Sequence, residues 1–194
     1  MDIPFSIGCV VLKIEIINEK EITPDLDLKI REGLCRSFPQ YADTFIKTRY
    51  WNGILPVSSI VLTSDDGSST VIAHAGIIKR EILIDGNDRL SIFGIQNVFI
   101  QPDFRGQGLL GQLMREILKA VESGGYDCGL LFCVPELEKV YSGFSWEKIS
   151  NASISAVDNE GLVSPISAAN IAMYYPLRIR EFPEGDVNLQ GYDW

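Results

Sequence analysis

The chain has 194 residues, 46% of them hydrophobic, and a formal net charge of -9 at pH 7. This length predicts one domain over residues 1–194, large enough to bury roughly 70% of its chain surface. No apolar run approaches the roughly 20 residues that span a bilayer, and the first residues lack a basic region, so we expect no membrane segment and no secretory signal. The acidic balance argues against nucleic acid as a partner and favours a cationic substrate.

Cysteine and histidine usage narrows the chemistry. The four cysteines show no Cys-x-x-Cys spacing and stand mostly among apolar neighbours: Cys9, Cys35, Cys128 and Cys133. We expect buried thiols in a reducing cytoplasm rather than disulfides. The one histidine, His74, lies in an apolar run and is expected to be a hydrogen-bonded sheet residue. Neither a metal site nor a Ser-His triad is therefore predicted.

The first half of the chain alternates between predicted strands and helices. Residues 8–17 are predicted as a strand, and Pro24-Asp25 opens a helix with one apolar face: Leu26, Ile30, Leu34 and Phe38. Residues 41–56 are less regular, and their aromatic side chains either cover a site or fill the core: Phe45, Tyr50 and Trp51. Residues 58–63 and 70–84 are predicted strands joined by a turn at residues 65–68, and a turn at 85–88 leads into a third strand, residues 90–100.

A glycine-dense loop follows this strand, with the spacing Gly106-x-Gly108-x-x-Gly111 and Arg105 at its entrance. Glycines leave the backbone N–H groups bare at the positive end of the next helix, which favours binding of a phosphate group; the alternative is a tight turn alone. A Rossmann site is not expected, because five residues separate strand and glycine and Asp127 precedes the following strand instead of ending it. The lysine of a P-loop is also missing.

The second half begins with the helix after this loop. It carries apolar residues on one side and stops at Gly124-Gly125: Leu110, Leu113, Met114, Ile117, Leu118 and Val121. Residues 129–134 are a wholly apolar central strand, a short helix runs from Pro135 to Tyr141, and residues 146–150 and 171–177 are the last two predicted strands. Residues 178–194 form a C-terminal tail. The predicted fold class is α/β (α+β), one domain with a mixed, mostly antiparallel sheet flanked by helices.

The glycine loop resembles the signature of the GNAT acyltransferase superfamily. In that family a strand ending in V-x-V-x-P precedes an Arg or Gln, two residues, Gly, one residue, and Gly or Ala; here Arg105 and Gly108 match, while Leu110 takes the second small position. The resemblance covers residues 5–177 and implies that the loop's amides hold the pyrophosphate of acetyl-CoA. It assigns these cofactor-binding residues: Val98, Phe99, Ile100, Arg105, Gly106, Gln107, Gly108, Leu109, Leu110 and Gly111.

A second segment, residues 140–146, resembles the family's helix with a tyrosine beside the CoA sulfur, although Ser145 replaces the usual glycine. By this match Tyr141 is the acid that protonates the departing thiolate; the alternative is a tyrosine packed in the core. The other catalytic contribution expected is a backbone N–H near Phe99, which a bulge in the strand would point at the tetrahedral oxyanion.

Residues 73–80, residues 131–137 and the C-terminal tail resemble the branch with aminoglycoside 2'-N-acetyltransferases and nodulation N-acyltransferases. Tails of the aminoglycoside enzymes end in an Asp and a Trp beside the substrate, which implies acceptor binding by Asp193 and Trp194. Those enzymes carry a glutamate where Gln96 stands. A neutral amide cannot accept the ammonium proton, so a different base or a different acceptor is implied. Glu81, Asp186 and Asp193 are candidate acceptor-side carboxylates, or else solvated surface charges.

The predicted function is acyl-CoA-dependent N-acyltransfer, with acetyl-CoA as the co-substrate and a small, cationic or amino-sugar amine as the acceptor. The alternative is a non-catalytic acyl-CoA-binding or sensing domain; a nucleotide-dependent oxidoreductase is disfavoured. We expect no nucleic-acid or membrane partner and a cytoplasmic location. The sequence leaves the oligomeric state open, with a homodimer as one candidate.

Overall fold

A computed structural model describes residues 5–7, 10–64 and 70–194, with side chains from residue 12 onward. The predicted turn at residues 65–68, together with Gly8 and Cys9, lies outside the described residues. The α-helices are α1 (Pro24–Ser37), α2 (Ala42–Phe45), α3 (Leu109–Val121) and α4 (Glu138–Ser142). The strands are β1 (Phe5–Ile7), β2 (Val10–Asn18), β3 (Ser58–Ser64), β4 (Val71–Ile84), β5 (Asp88–Ile100), β6 (Cys128–Cys133), β7 (Glu147–Lys148), β8 (Ala152–Val157), β9 (Val163–Pro165), β10 (Ile171–Pro176) and β11 (Gly185–Asn188). Short 3-10 turns occupy Glu19–Glu21, Pro39–Tyr41, Trp51–Gly53, Pro102–Phe104 and Pro135–Leu137.

The chain divides into two compact units. The first comprises Met1–Ile77 and Gln96–Ala120, and the second comprises Ile78–Ile95 and Val121–Trp194. The long strands β4 and β5 each contribute residues to both units.

The first unit is built on antiparallel strands in the order β1-β2-β3-β4-β5. Its main helix, α1, begins at Pro24 because the Thr23 hydroxyl accepts the N–H of Leu26 (3.2 Å) and proline suits the first helical position. The predicted apolar face is buried against the sheet in a core that contains Ile30, Leu34, Phe45, Val61, Val71 and Phe99. The helix prediction is thereby confirmed.

The same core decides the role of the aromatic residues in the irregular segment. Phe45 is fully buried and Trp51 packs against the cluster, so both fill the core. Tyr50 differs, because its hydroxyl donates to the carboxylate of Glu19 (2.9 Å). The alternative in which these residues cover a site is not what the structure shows for Phe45.

The second unit contains parallel as well as antiparallel strand pairs. β6 lies parallel to β5, with Phe93 opposite Gly129, and antiparallel to β10, which also pairs with β7. The apolar β6 is central as predicted, since strands flank it on both sides. The mixed, mostly antiparallel sheet with flanking helices confirms the predicted fold class.

The prediction that residues 171–177 are the last strand is wrong. β11 follows in the predicted tail and pairs antiparallel with β4 and parallel with β8, while β9 pairs with β8. The sequence pattern that predicts a strand is weak in all three. β8 consists largely of small residues, β9 is exposed throughout, and Val187 is the buried residue of β11. β11 forms by pairing with the distant β4, which local patterning does not report, whereas β8 and β9 pair with each other as neighbours.

Three of the four cysteines are described, and all three are free thiols: Cys35, Cys128 and Cys133. No helix among the described residues is long and apolar enough to cross a membrane.

Candidate functional site

The glycine loop of the first unit has the conformation that its sequence indicates. Gly106 and Gly108 have φ values of +75° and +77°, in the left-handed region where a side chain is strained, and open space surrounds both. α3 starts directly after them at Leu109. Within the described part of the chain, no protein acceptor binds the backbone N–H groups of residues 106–111. The loop therefore presents free donors at the positive end of a helix.

Arg105 and Leu109 fix this loop from its two ends. The Arg105 Nε donates to the carbonyl oxygen of Ile100 (3.1 Å), while the rest of the side chain remains exposed. Leu109 is buried with Leu62, Ile72 and other residues of a second core cluster. The sequence predicts Leu110 on the buried side of α3, but this side chain is only half-buried. Leu109, Leu113 and Ile117, which follow one another at four-residue spacing, face the core instead. The amides between these anchors are held at the surface.

The end of β5 contains an irregularity at Asn97, whose φ is +53°. This is the backbone conformation found at one class of β-bulge, and it lies two residues before Phe99. The Phe99 ring is buried between Gly33, where an added Cβ would lie 2.3 Å from the ring, and the stacked His74 ring. The Phe99 side chain is therefore a core residue, and the catalytic role expected of its backbone N–H stays a prediction.

Gln96 is buried, with an exposed fraction of 3%. Its Nε2 donates to the carbonyl oxygen of Ile54 (3.0 Å), while Oε1 has no hydrogen-bond partner among the described residues. Gly76 leaves room for this side chain, since a Cβ there would lie 3.2 Å from its Cγ. Burying a hydrogen-bond acceptor that has no donor costs free energy. The Gln96 Oε1 atom therefore favours an N–H or O–H donor from a ligand or from water.

In the second unit, Tyr141 lies in α4 with its ring edge-on to Trp146 (6.4 Å between centroids). The side chain is buried, and within the described residues no hydrogen bond to its hydroxyl is found. Burial raises the pKa of Tyr141 well above its usual value, with a further contribution from Cys133. The phenol is therefore fully protonated at neutral pH. The side chain is packed in the core, as in the alternative, and its role as the acid stays a prediction.

The C-terminal tail ends in a buried residue of the second unit. The Trp194 indole packs on Gly94, where an added Cβ would lie 2.5 Å from the ring. The Arg80 guanidinium lies over the ring (4.9 Å to the centroid), and Phe132 meets it edge-on. Trp194 Nε1 is buried, with no acceptor among the residues described. Neither Arg80 nor Gly94 was predicted, although a glycine inside an apolar strand signals close approach.

The three candidate carboxylates differ in their surroundings. Asp193 lies near Arg80, whose pKa is lowered by burial and partly restored by this carboxylate. Glu81 forms an exposed ion pair with Arg89 (3.1 Å), which fits a surface charge. Asp186 is exposed, and its backbone N–H donates to Asp85. Of these three carboxylates, Asp193 is the one that stands next to Trp194 in the sequence. Among the described residues there is no group of three or more His, Cys, Asp or Glu side chains suited to a metal ion.

Comparison with known proteins places this geometry in context. The chain resembles a GNAT family N-acetyltransferase, YhbS from Escherichia coli, solved with CoA, at 18% identity and a TM-score of 0.63 over 96% of this chain and 93% of that one. It also resembles Escherichia coli ElaA at 16% identity and a TM-score of 0.60, over 84% and 99% of the two chains. A GNAT family acetyltransferase from Brucella melitensis, solved with acetyl-CoA, shares 18% identity with a TM-score of 0.52, over 90% and 94%. No curated protein matches the sequence.

The family model for the acetyltransferase (GNAT) domain matches residues 23–149, about two thirds of the chain. This range contains the glycine loop, the end of β5 and Tyr141. The chain therefore belongs to the GNAT acetyltransferase family.

Proposed function

We propose that this protein transfers an acyl group, acetyl in the first instance, from CoA to the amine of a small, cationic or amino-sugar acceptor. The observation that carries the proposal is the row of free amides over residues 106–111 at the start of α3. These donors suit the pyrophosphate of CoA, because backbone N–H groups and the helix dipole both favour an anion. Two structural relatives were solved with CoA or acetyl-CoA, which supports the same ligand here.

Each step of the reaction has a proposed participant. A backbone N–H near Phe99 stabilises the oxyanion that forms when the amine attacks the thioester carbon. As the C–S bond breaks, the Tyr141 phenol donates its O–H to the sulfur, and the raised pKa means that this hydroxyl is protonated beforehand. The Gln96 amide oxygen accepts a hydrogen bond but cannot take a proton. The amine therefore loses its proton to water or to a carboxylate side chain. Holding both substrates together supplies much of the acceleration.

We propose that the C-terminal tail binds the acceptor. Asp193 and Trp194 would bind the acceptor as in the aminoglycoside 2'-N-acetyltransferase branch, with the carboxylate attracting a cation. The free thiols Cys35, Cys128 and Cys133 fit a reducing compartment such as the cytoplasm. A homodimer remains a proposal for the assembly.

A screen of thiol release tests this function. The protein is incubated with acetyl-CoA or longer acyl-CoAs and a panel of aminoglycosides, polyamines and neutral amines, with acceptor-free reactions as the control. We expect acceptor-dependent release of CoA thiol, fastest with a cationic amine. Tight acetyl-CoA binding without release for any amine would instead favour the second candidate, a non-catalytic acyl-CoA sensor, which the missing glutamate at Gln96 keeps open.

A further inference from the structure

We propose that Glu19 binds a second, protonated nitrogen of the acceptor while Gln96 orients the amine that reacts, so that the preferred acceptor carries at least two amino groups. This inference rests on the proposed function and narrows its substrate class. It starts from two buried oxygen atoms in the first unit, Glu19 Oε2 and Gln96 Oε1, for which the described residues supply no hydrogen-bond donor.

Glu19 presents one free oxygen atom of a buried carboxylate. Its side chain has an exposed fraction of 10%, and the Arg49 guanidinium and the Tyr50 hydroxyl (2.9 Å) both hold its Oε1 atom. The Oε2 atom is buried and has no partner in the part of the chain that the structure describes. A buried carboxylate oxygen without a donor costs free energy. An ammonium group supplies three N–H donors together with the opposite charge.

The cations around Glu19 leave this oxygen atom unmatched. Arg49 has a side-chain exposed fraction of 2%, and its one charge is shared between Glu19 and Asp27, whose Oδ1 lies 2.9 Å from Arg49 Nε. The other oxygen of Asp27 pairs with Arg31 (2.8 Å). Both oxygens of Asp27 are therefore paired, whereas Glu19 has one paired oxygen and one that an incoming cation can occupy.

Residues 50–57, which we call the bridging segment, connect Glu19 to Gln96. The first residue of this segment donates to the Glu19 carboxylate, and the carbonyl oxygen of its last residue, Val57, accepts the backbone N–H of Glu19 (3.1 Å). Between them, the Ile54 carbonyl oxygen accepts from Gln96 Nε2 (3.0 Å). Three residues span at most roughly 10 Å of chain. Glu19 and Gln96 therefore contact the same short segment, within the reach of one extended diamine.

The two oxygen atoms differ in charge, and this difference assigns one nitrogen of the acceptor to each. The amine that attacks the thioester must be uncharged, and its N–H suits the neutral amide oxygen of Gln96. The second nitrogen, with a pKa of about 10 like that of a lysine, stays protonated and suits the Glu19 carboxylate. A monoamine leaves one of the two oxygen atoms without a donor, whereas a diamine supplies both.

The test compares diamines with monoamines of the same size. Thiol release from acetyl-CoA is measured with putrescine against n-butylamine, cadaverine against n-pentylamine, and neosamine C against glucosamine. Glu19→Gln keeps the shape of the side chain and removes its charge. Glu15→Gln is the matched control, because it removes one negative charge from a partly exposed residue of β2 that pairs with Lys13 (2.8 Å). Calorimetry of putrescine against the CoA-loaded protein measures binding without turnover.

Wild type should show a kcat/KM at least about tenfold higher for a diamine than for its monoamine. Glu19→Gln should reduce this ratio to about threefold or less by raising the KM of the diamine, with the monoamine kinetics and the acetyl-CoA Kd unchanged, and it should weaken putrescine binding equally. Glu15→Gln should keep the wild-type ratio. Tyr50→Phe keeps the carboxylate and removes one contact that holds it, so it should lose part of the ratio even if Glu19→Gln does not fold.

Two results would overturn the inference and leave the proposed function intact. One is equal kcat/KM for diamines and monoamines in wild type, and the other is a wild-type ratio in folded Glu19→Gln. If wild type binds acetyl-CoA and releases thiol with no amine of either series, transfer to an amine fails, and the inference with it.

Discussion

Tyr141, the proposed donor to the CoA sulfur, is a buried side chain whose protonation state follows from its surroundings. Its raised pKa means that the phenol is protonated across the working pH range, and its hydroxyl has no described protein partner. A free thiol has a pKa of about 8.5, so a thiolate is a weaker base than this phenolate. The proposed role of the Tyr141 O–H is therefore to donate to the sulfur while negative charge develops on it during C–S cleavage.

Replacing Tyr141 with Phe should lower kcat by roughly 10² with little change in the acetyl-CoA Kd, because the ring still packs on Trp146 and only the proton is lost. Steady-state thiol release and calorimetry measure the two quantities. Tyr126→Phe, another buried tyrosine of the same unit, is the control and should leave kcat within twofold. A Tyr141→Phe variant within about threefold of wild type would assign proton donation to water.

The buried His74 side chain should make the free energy of unfolding depend on pH. Burial lowers its pKa to about 4 from an ordinary value of 6.5, with the Arg49 charge adding to the effect, so the unfolded chain binds a proton more readily. The free energy of unfolding should therefore fall by roughly 3 kcal/mol on this account as pH drops from 6.5 to 4, beyond any change due to carboxylates. Denaturant unfolding of wild type and His74→Gln isolates this contribution as the difference between the two proteins. A difference that does not vary with pH would show that His74 keeps its ordinary pKa.

Sequence reasoning anticipated the open loop at Gly106 and Gly108, because glycines spaced between a strand and a helix carry that information locally. It did not reach Asn97 or the environment of Gly94. The kink at Asn97 depends on Arg49, far away in the chain, and Gly94 is explained only by the indole that packs on it. Such positions are set by tertiary contacts and leave no periodic signal.

At the level of elements, length and periodicity separate the confirmed predictions from the failures. α1 and α3 are long and bury residues at helical spacing, and β4 and β5 are long and carry continuous buried runs. β8, β9 and β11 are short; β8 and β9 pair with each other as neighbours, whereas β11 pairs with the distant β4. The predicted tail consequently proved to be partly sheet, which fixes the path of residues 189–194.

Removing Asp193 and Trp194 should raise the KM of the acceptor more than that of acetyl-CoA, since the proposed role of the tail is acceptor binding. Loss of the buried indole should also destabilise the fold by about 3 kcal/mol or more. Gly94→Ala provides a second route to the same effect, because its Cβ would displace the indole without shortening the chain. Thermal unfolding and initial-rate kinetics measure both effects. Unchanged KM values in both variants would remove the tail from the site.

For the whole molecule, the net charge of -9 predicts that a cationic acceptor is attracted to the protein. The kcat/KM for a cationic amine should decrease as salt rises, because ions screen the attraction between substrate and protein. A neutral amine of similar size is the control and should show little dependence. Equal salt dependence for both acceptors would argue against electrostatic attraction of the substrate.

Binding of acyl-CoA by the glycine loop is the central claim, and titration calorimetry with acetyl-CoA tests it most directly. Wild type should bind, and Gly108→Glu should lose at least about 100-fold in affinity, because a carboxylate and a strained backbone replace the open amides. Gly86→Glu is the matched control, with a φ of +74° and equally open surroundings in the β4–β5 turn, and should bind like wild type. A folded Gly108→Glu protein with wild-type affinity would contradict the assignment of the loop.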